Sequence, residues 1–230
     1  MQTTDARTVS VSATSPLATH KVLRNTYLLL SMTLIFSAVM AGVSMALGVP
    51  RGVGLICSLV ALGLLWFVVP RTADSANGLI SVFAVTGLLG FGLGPVLNAY
   101  LSGFANGGQI IMLAMGGTGV TFVGLSAYAL RSQRDFSFMR QALVAGVLIA
   151  FVAAMGLLVA SMFGFYFQPL ALAISAAFVV LMCGMILYQT SEIINGGETN
   201  YILATIGLYV AIYNLFTSLL HLLGFGMGED

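Results

Sequence analysis

Residues 141–191 read QALVAGVLIAFVAAMGLLVASMFGFYFQPLALAISAAFVVLMCGMILYQTS, and this stretch contains no Asp, Glu, Lys or Arg. Residues 75–130 and 199–228 are also free of these four residue types. The charged residues lie almost wholly in short gaps between apolar runs. A charge at the bilayer centre costs about 2.5–3.5 kcal/mol on insertion scales, so membrane proteins keep charges in their loops. The pattern is typical of a polytopic membrane protein.

The composition indicates the same class. Hydrophobic residues make up 59% of the chain and charged residues 7%, whereas a soluble domain carries about 25% charged residues. The net charge of +1 argues against a nucleic-acid partner and leaves the lipid bilayer as the expected environment. Cys57 and Cys183 lie inside apolar runs and are expected to be core residues. No cofactor is expected.

Seven segments contain the roughly 20 mostly apolar residues that a spanning helix needs, which predicts an all-α protein with seven transmembrane helices. Residues 1–24 are polar at their start and are expected to form a disordered cytoplasmic tail before a membrane domain over 25–230. The expected spans are 25–47, 53–69, 78–101, 108–130, 141–163, 168–190 and 202–223.

Small residues recur within these spans at the spacing that lets helices pack closely. Pro95 lies inside the third span, directly after three closely spaced glycines, which predicts a kink or a close contact there. The small-residue pairs are Ala38 with Gly42, Gly90 with Gly94, and Ala142 with Gly146.

The basic residues predict the orientation of the chain. Because successive loops alternate sides, seven basic residues fall on one side and Arg51 alone on the other. The positive-inside rule then places the N-terminus in the cytoplasm and, with seven spans, the C-terminus on the opposite side. The seven are Arg7, Lys21, Arg24, Arg71, Arg131, Arg134 and Arg140.

The last span carries a polar stripe, which is the strongest candidate site within the membrane. Lipid cannot satisfy polar groups, so these side chains should face protein or a wet cavity. Two interpretations remain open: a cavity or gate beside this helix, or hydrogen bonds between helices. The stripe consists of Thr205, Tyr209, Tyr213, Thr217 and His221, with Asn214 on an adjoining edge.

The loop at 191–200 is acidic, with Glu192 and Glu198 following Gln189 at the end of the sixth span. It is either a solvated loop that pairs loosely with nearby arginines or a cation-facing mouth on the cytoplasmic side. No catalytic constellation and no metal-binding motif is found in the sequence, since HExxH and GxSxG are absent and the spans contain no Asp. The sequence therefore does not predict an enzyme.

Two regions of the chain resemble the Bax inhibitor-1 family. The first is Gly78-Leu79-Ile80-Ser81 followed by the GFGLGPVL stretch at 90–97, where Gly90, Gly94 and Pro95 would serve packing. The second includes LYQTSEIINGG at 187–197 and LYVAIYNLF at 208–216. The HKVLRNTY and GGETNYI segments are similar to the bacterial branch that modulates the membrane protease FtsH.

The resemblance implies six helices around a central last helix, and two alternative functions. In the FtsH-modulating branch, the protein is an inner-membrane regulator that restrains the protease and is itself a substrate. The polar N-terminal tail of this chain is expected to be the segment that the protease grips. Other members are pH-gated calcium leaks that depend on one aspartate in the sixth helix and one in the seventh. Gln189 and Ala211 stand at those positions, so the aspartate switch does not carry over. The oligomeric state is not predicted.

The basic count gives a direct test of orientation. A reporter fused after Asp230 should be active in the periplasm and one fused after Arg134 in the cytoplasm, because positively charged loops are retained inside. Alkaline phosphatase and green fluorescent protein fusions report the two sides. Cytoplasmic activity of the Asp230 fusion would contradict the seven-span orientation.

Overall fold

The computed structural model describes residues 16–227, and all regular secondary structure within them is helical. Seven helices there are long and apolar enough to cross a membrane, which confirms the predicted all-α polytopic fold. They are α1 Pro16–Ala46, α2 Arg51–Thr72, α3 Asn77–Gly103, α4 Gly107–Ser132, α5 Arg140–Met162, α6 Gln168–Ile194 and α7 Tyr201–Met227.

The first helix begins earlier than expected. Residues 16–24, assigned to the tail, are part of α1, so the predicted boundary at residue 24 is wrong. Pro16 is a favourable first helical residue because it has no N–H to satisfy. Val22 and Leu23 then pack against the main core, which stabilises the added turns. Residues 1–15 of the predicted tail lie outside the described residues.

The second span, predicted over 53–69, runs from Arg51 to Thr72 and so gains the length needed to cross a bilayer. It contains a π-helical turn over Leu64–Val68, in which the Val69 N–H bonds to the Leu64 carbonyl five residues back. This wider turn ends two residues before Pro70, which cannot donate a helical hydrogen bond.

The third helix contacts α1 through glycines. A Cβ atom added at Gly94 would lie 2.5 Å from Ser44 Cβ, and one added at Gly90 would overlap the Ser37 carbonyl oxygen. Pro95 is buried, and α3 continues through it to Gly103. Of the two outcomes predicted for this region, close packing is therefore observed, as small residues allow in lipid.

The other two predicted packing pairs are only partly correct. Ala38 and Gly42 are exposed, and α1 instead presents Ser37, Ala41 and Ser44 to α3. Gly146 does pack against Leu181 of α6. Ala142, its predicted partner, is exposed.

The last helix packs against α1, α3, α4 and α6. It shares the interior with α3, since 56% of the most apolar 18-residue segment of each of these two helices is buried. A central place for α7 alone is therefore not confirmed. The fifth helix is peripheral, since only 11% of its most apolar 18-residue segment is buried.

The contact between α1 and α3 gives a stability prediction. Gly90→Ala should lower the free energy of unfolding by about 1–3 kcal/mol, because the added methyl group meets backbone that cannot move aside cheaply. Thermal unfolding of the detergent-solubilised protein measures the change. Gly116→Ala is the matched control, since no atom lies within 4 Å of a Cβ at that position. Equal stability of the two variants would contradict the assignment.

Candidate functional site

The most buried part of the polar stripe is centred on Tyr209 of α7. Its side chain is 1% exposed, and its hydroxyl oxygen lies 2.6 Å from Ser37 Oγ of α1 and 3.3 Å from the Thr86 carbonyl oxygen of α3. A carbonyl can only accept, so Tyr209 donates to Thr86 and the Ser37 hydroxyl donates to Tyr209. Three helices therefore meet at a single buried hydroxyl.

The stripe makes further connections at its two ends. Near the start of α7, buried Thr205 lies 2.6 Å from the Tyr201 carbonyl oxygen and 3.3 Å from that of Thr26 on α1. Near its other end, His221 Nδ1 lies 2.8 Å from Ser175 Oγ of α6. The stripe thus links α7 to α1 at two levels, with α3 also contacted at the second, and to α6 at a third.

The remaining stripe residues stay closer to their own helix. The Tyr213 ring stacks on Tyr209 with centroids 6.3 Å apart. Asn214 Nδ2 donates to the Val210 carbonyl oxygen at 2.8 Å, and Thr217 Oγ1 donates within the helix. These contacts lie within α7 and do not connect it to another helix. The role of the stripe as the wall of a cavity or gate stays a prediction.

Gln189 of α6 lies against α7 at Gly207. A Cβ atom added at Gly207 would be 3.2 Å from both Oε1 and Nε2 of Gln189. Ala211 is buried and follows Gly207 by one helical turn on the same face. The Gln189 Oε1 atom is buried and has no hydrogen-bond partner among the described residues. The two positions at which the family resemblance implies aspartates in calcium leaks are thus a neutral amide and a methyl group.

The two glutamates hold the acidic loop in shape through the backbone. The Glu192 carbonyl oxygen accepts hydrogen bonds from Gly197 N at 2.8 Å and Glu198 N at 3.2 Å, closing the end of α6 over Gly196 at φ 74°. Glu198 Oε1 accepts from Asn200 N at 2.7 Å. Both side chains are half-buried, and a cation-facing role for them stays a prediction.

The sequence analysis missed two residues whose side chains hydrogen-bond to neighbouring loops at the end of the bundle where α7 begins. Asn200 caps α7 through Oδ1, which accepts from Ile202 N at 2.9 Å, while its Nδ2 donates to the Ala73 carbonyl and to Asp74 Oδ1 in the α2–α3 loop. Its position before an apolar run is an N-cap signal that could have revealed the cap.

The second missed residue is Ser191, which is 1% exposed. Its Oγ donates to the Arg134 carbonyl oxygen at 2.8 Å and accepts from Phe136 N at 3.2 Å. The α4–α5 loop is thereby attached to the end of α6. Ser37, Thr86 and Ser175 were also missed, because single hydroxyl residues in apolar spans give no periodic signal.

Comparisons with known proteins agree with these features. A family model described as inhibitor of apoptosis-promoting Bax1 matches residues 19–228. A protein of Escherichia coli strain K12 named modulator of FtsH protease YccA is 50% identical over 212 residues, covering 92% of this chain and 93% of its own. A protein of E. coli O6:H1 named inner membrane protein YccA matches to the same extent. An uncharacterized membrane protein of Vibrio cholerae is 48% identical over 225 residues, 97% of each chain.

The Tyr209 centre gives a prediction for helix association. Tyr209→Phe should lower the free energy of unfolding by about 1 kcal/mol, because it leaves the buried Ser37 hydroxyl without its acceptor. A double-mutant cycle with Ser37→Ala should give a coupling energy of about 0.6 kcal/mol, the average for hydrogen bonds in membrane bundles. Chemical unfolding in detergent measures both values.

Tyr213→Phe is the matched control, since it removes a tyrosine hydroxyl that takes no part in this network. Strictly additive effects of Tyr209→Phe and Ser37→Ala would show that the two hydroxyls do not stabilise the fold together.

Proposed function

The chain belongs to the Bax inhibitor-1 family, and on this premise we propose that it is a regulatory protein that modulates the membrane protease FtsH. The observation that carries the proposal is its 50% identity, over 92% of the chain, to the E. coli protein named as a modulator of that protease. A match of this length includes at least part of each of the seven helices. The role is one of binding and restraint and not of catalysis by this chain.

We propose the bacterial inner membrane as its location, with the N-terminus in the cytoplasm and the C-terminus in the periplasm. The relative named as an inner membrane protein supports the location. The excess of basic residues on one side supports the orientation. With this orientation, residues 1–15 precede α1 on the side where an ATP-driven protease would engage a substrate.

We propose that FtsH grips this chain through residues 1–15 and meets resistance when it pulls on the bundle. The segment is polar, and seven of its residues are Ser or Thr. Directly behind it, α1 packs closely on α3 through Gly90 and Gly94 and is hydrogen-bonded to α7 through Ser37. A substrate that is easily gripped but slowly extracted would occupy the protease and restrain its action on other proteins.

The calcium leak implied by other family members is not supported by a specific observation in this structure. Such a gate needs a pair of carboxylates whose protonation changes with pH. The Gln189 amide does not gain or lose a proton near neutral pH, and Ala211 is apolar. Calcium flux into liposomes that contain the purified protein separates this alternative from protease modulation.

The tail model gives a prediction for protein turnover. Deleting residues 2–15 should lengthen the half-life of the protein severalfold in cells with active FtsH, because the protease loses the segment at which extraction starts. Co-purification with FtsH should persist, since the deletion leaves the helical bundle intact. Pulse-chase labelling and affinity purification measure the two quantities.

Deletion of residues 228–230 at the other end of the chain is the matched control and should leave the half-life unchanged. If the deletion of residues 2–15 also leaves it unchanged, the tail has no part in the mechanism. If neither full-length protein nor variants co-purify with FtsH, the proposed function itself fails.

A further inference from the structure

A cleft opens at the end of the bundle where α1 begins. Its volume is about 700 Å³. The lining residues come from the first turns of α1 and from the last turns of α4 and are His20, Lys21, Leu23, Arg24, Tyr27 and Leu130. None of these residues belongs to the polar stripe, the acidic loop or the tail.

The cleft exists because α1 and α4 do not pack along each other. Both helices pack against α7 and α3, which holds them side by side. At this end they approach through one aromatic contact, between the rings of Tyr27 and Phe122, whose centroids are 5.9 Å apart. The ring pair lies next to the opening, so the space between the two helices stays unfilled by side chains of the core.

The lining divides into a basic rim and an apolar wall. His20, Lys21 and Arg24 are exposed at the rim, and no lining residue is acidic. Leu23, Leu130 and the Tyr27 ring form the wall. The Tyr27 hydroxyl is buried and has no hydrogen-bond partner among the described residues. This hydroxyl could therefore still donate a hydrogen bond to a ligand or accept one from it.

The position of the rim matches the level of lipid headgroups. Arg24 is the last charged residue before the charge-free run of residues 25–50. Basic side chains at this depth face phosphate groups, while the wall next to them faces the upper part of the acyl chains. A ligand that fits must therefore combine a negative headgroup with apolar chains.

We propose that this cleft binds one acidic phospholipid of the leaflet at which α1 begins. Lys21 and Arg24 contact the phosphate as charge-assisted donors. The Tyr27 hydroxyl meets a polar group of the headgroup or glycerol backbone. One acyl chain lies along Leu23 and Leu130 between α1 and α4. The inference goes beyond the proposed protease modulation and does not depend on it.

Lipid titration of the full-length protein in detergent, read by native mass spectrometry, tests the proposal. Dioleoylphosphatidylglycerol should bind at one site more tightly than the zwitterionic dioleoylphosphatidylethanolamine. Lys21→Gln/Arg24→Gln should weaken phosphatidylglycerol binding by about 30-fold, because each basic residue near an anionic lipid surface contributes roughly fivefold in affinity. The double variant Arg71→Gln/Arg140→Gln removes two charges outside the cleft and should bind as the natural chain does. Equal loss in both double variants would overturn the proposal.

A second variant fills the cleft without changing charge. Leu130→Trp should prevent binding of phosphatidylglycerol, whereas Val123→Trp, at an exposed position of the same helix, should not. Unchanged binding in Leu130→Trp would place the lipid elsewhere and overturn the proposal. Melting temperatures of all variants establish that each one is folded.

Further arms separate the lipid from other occupants. Inorganic phosphate at millimolar concentration should not displace phosphatidylglycerol, because it lacks the acyl chains that the apolar wall binds. Displacement by phosphate would identify a simple anion site and overturn the proposal. Phosphatidylglycerol binding only after deletion of residues 2–15 would show that the chain itself fills the cleft. If the natural chain binds no lipid and Lys21→Gln/Arg24→Gln no longer co-purifies with FtsH, the cleft is a protein contact and not a lipid site. That result would overturn the proposal.

Discussion

Hydrocarbon can neither hydrogen-bond a polar group nor solvate a charge, and the arrangement of this chain follows from that constraint. Backbone groups are satisfied within seven helices, and charged residues stay near the helix ends or in the gaps between helices. Several polar side chains within the spans are turned inward, as where Tyr209 meets the Ser37 hydroxyl and the Thr86 carbonyl. The same constraint leaves the surfaces of the bundle almost wholly apolar, so polar chemistry is confined to its interior and its two ends.

Association of the helices needs another source of stability, because lipid is as apolar as a leucine side chain. The contact of α3 with α1 supplies it through close approach at Gly90 and Gly94. On its other side, α3 meets α2, where a Cβ atom added at Gly54 would lie 2.8 Å from the Gly92 carbonyl oxygen. With glycine on both faces, α3 lies between two neighbours at short range. Pro95 fits into this arrangement without ending the helix.

The sequence predicted the number of spans well because charged residues mark one end of every span, and Gly, Asn or Pro residues separate the two pairs of spans that share a charge-free run. Where both faces of a helix are apolar, the sequence did not reveal which face is buried, as with the exposed pair Ala38 and Gly42. The tail boundary was wrong because Val22 and Leu23 gain contacts with the core that composition does not reveal. The partners of the polar stripe depend on which helices become neighbours, and no single residue such as Ser175 encodes that.

The placement of α1 determines how the molecule responds to a mechanical load. A pull applied upstream of Pro16 acts along the axis of this helix, whereas its contacts point sideways: the Thr26 carbonyl to Thr205, the Ser37 hydroxyl to Tyr209, and Ser44 to Gly94. Contacts placed in this way are loaded together, in shear, and cannot be opened one after another like a zipper. Resistance to extraction is therefore a matter of direction as well as of stability, and a pull along α1 meets these contacts together.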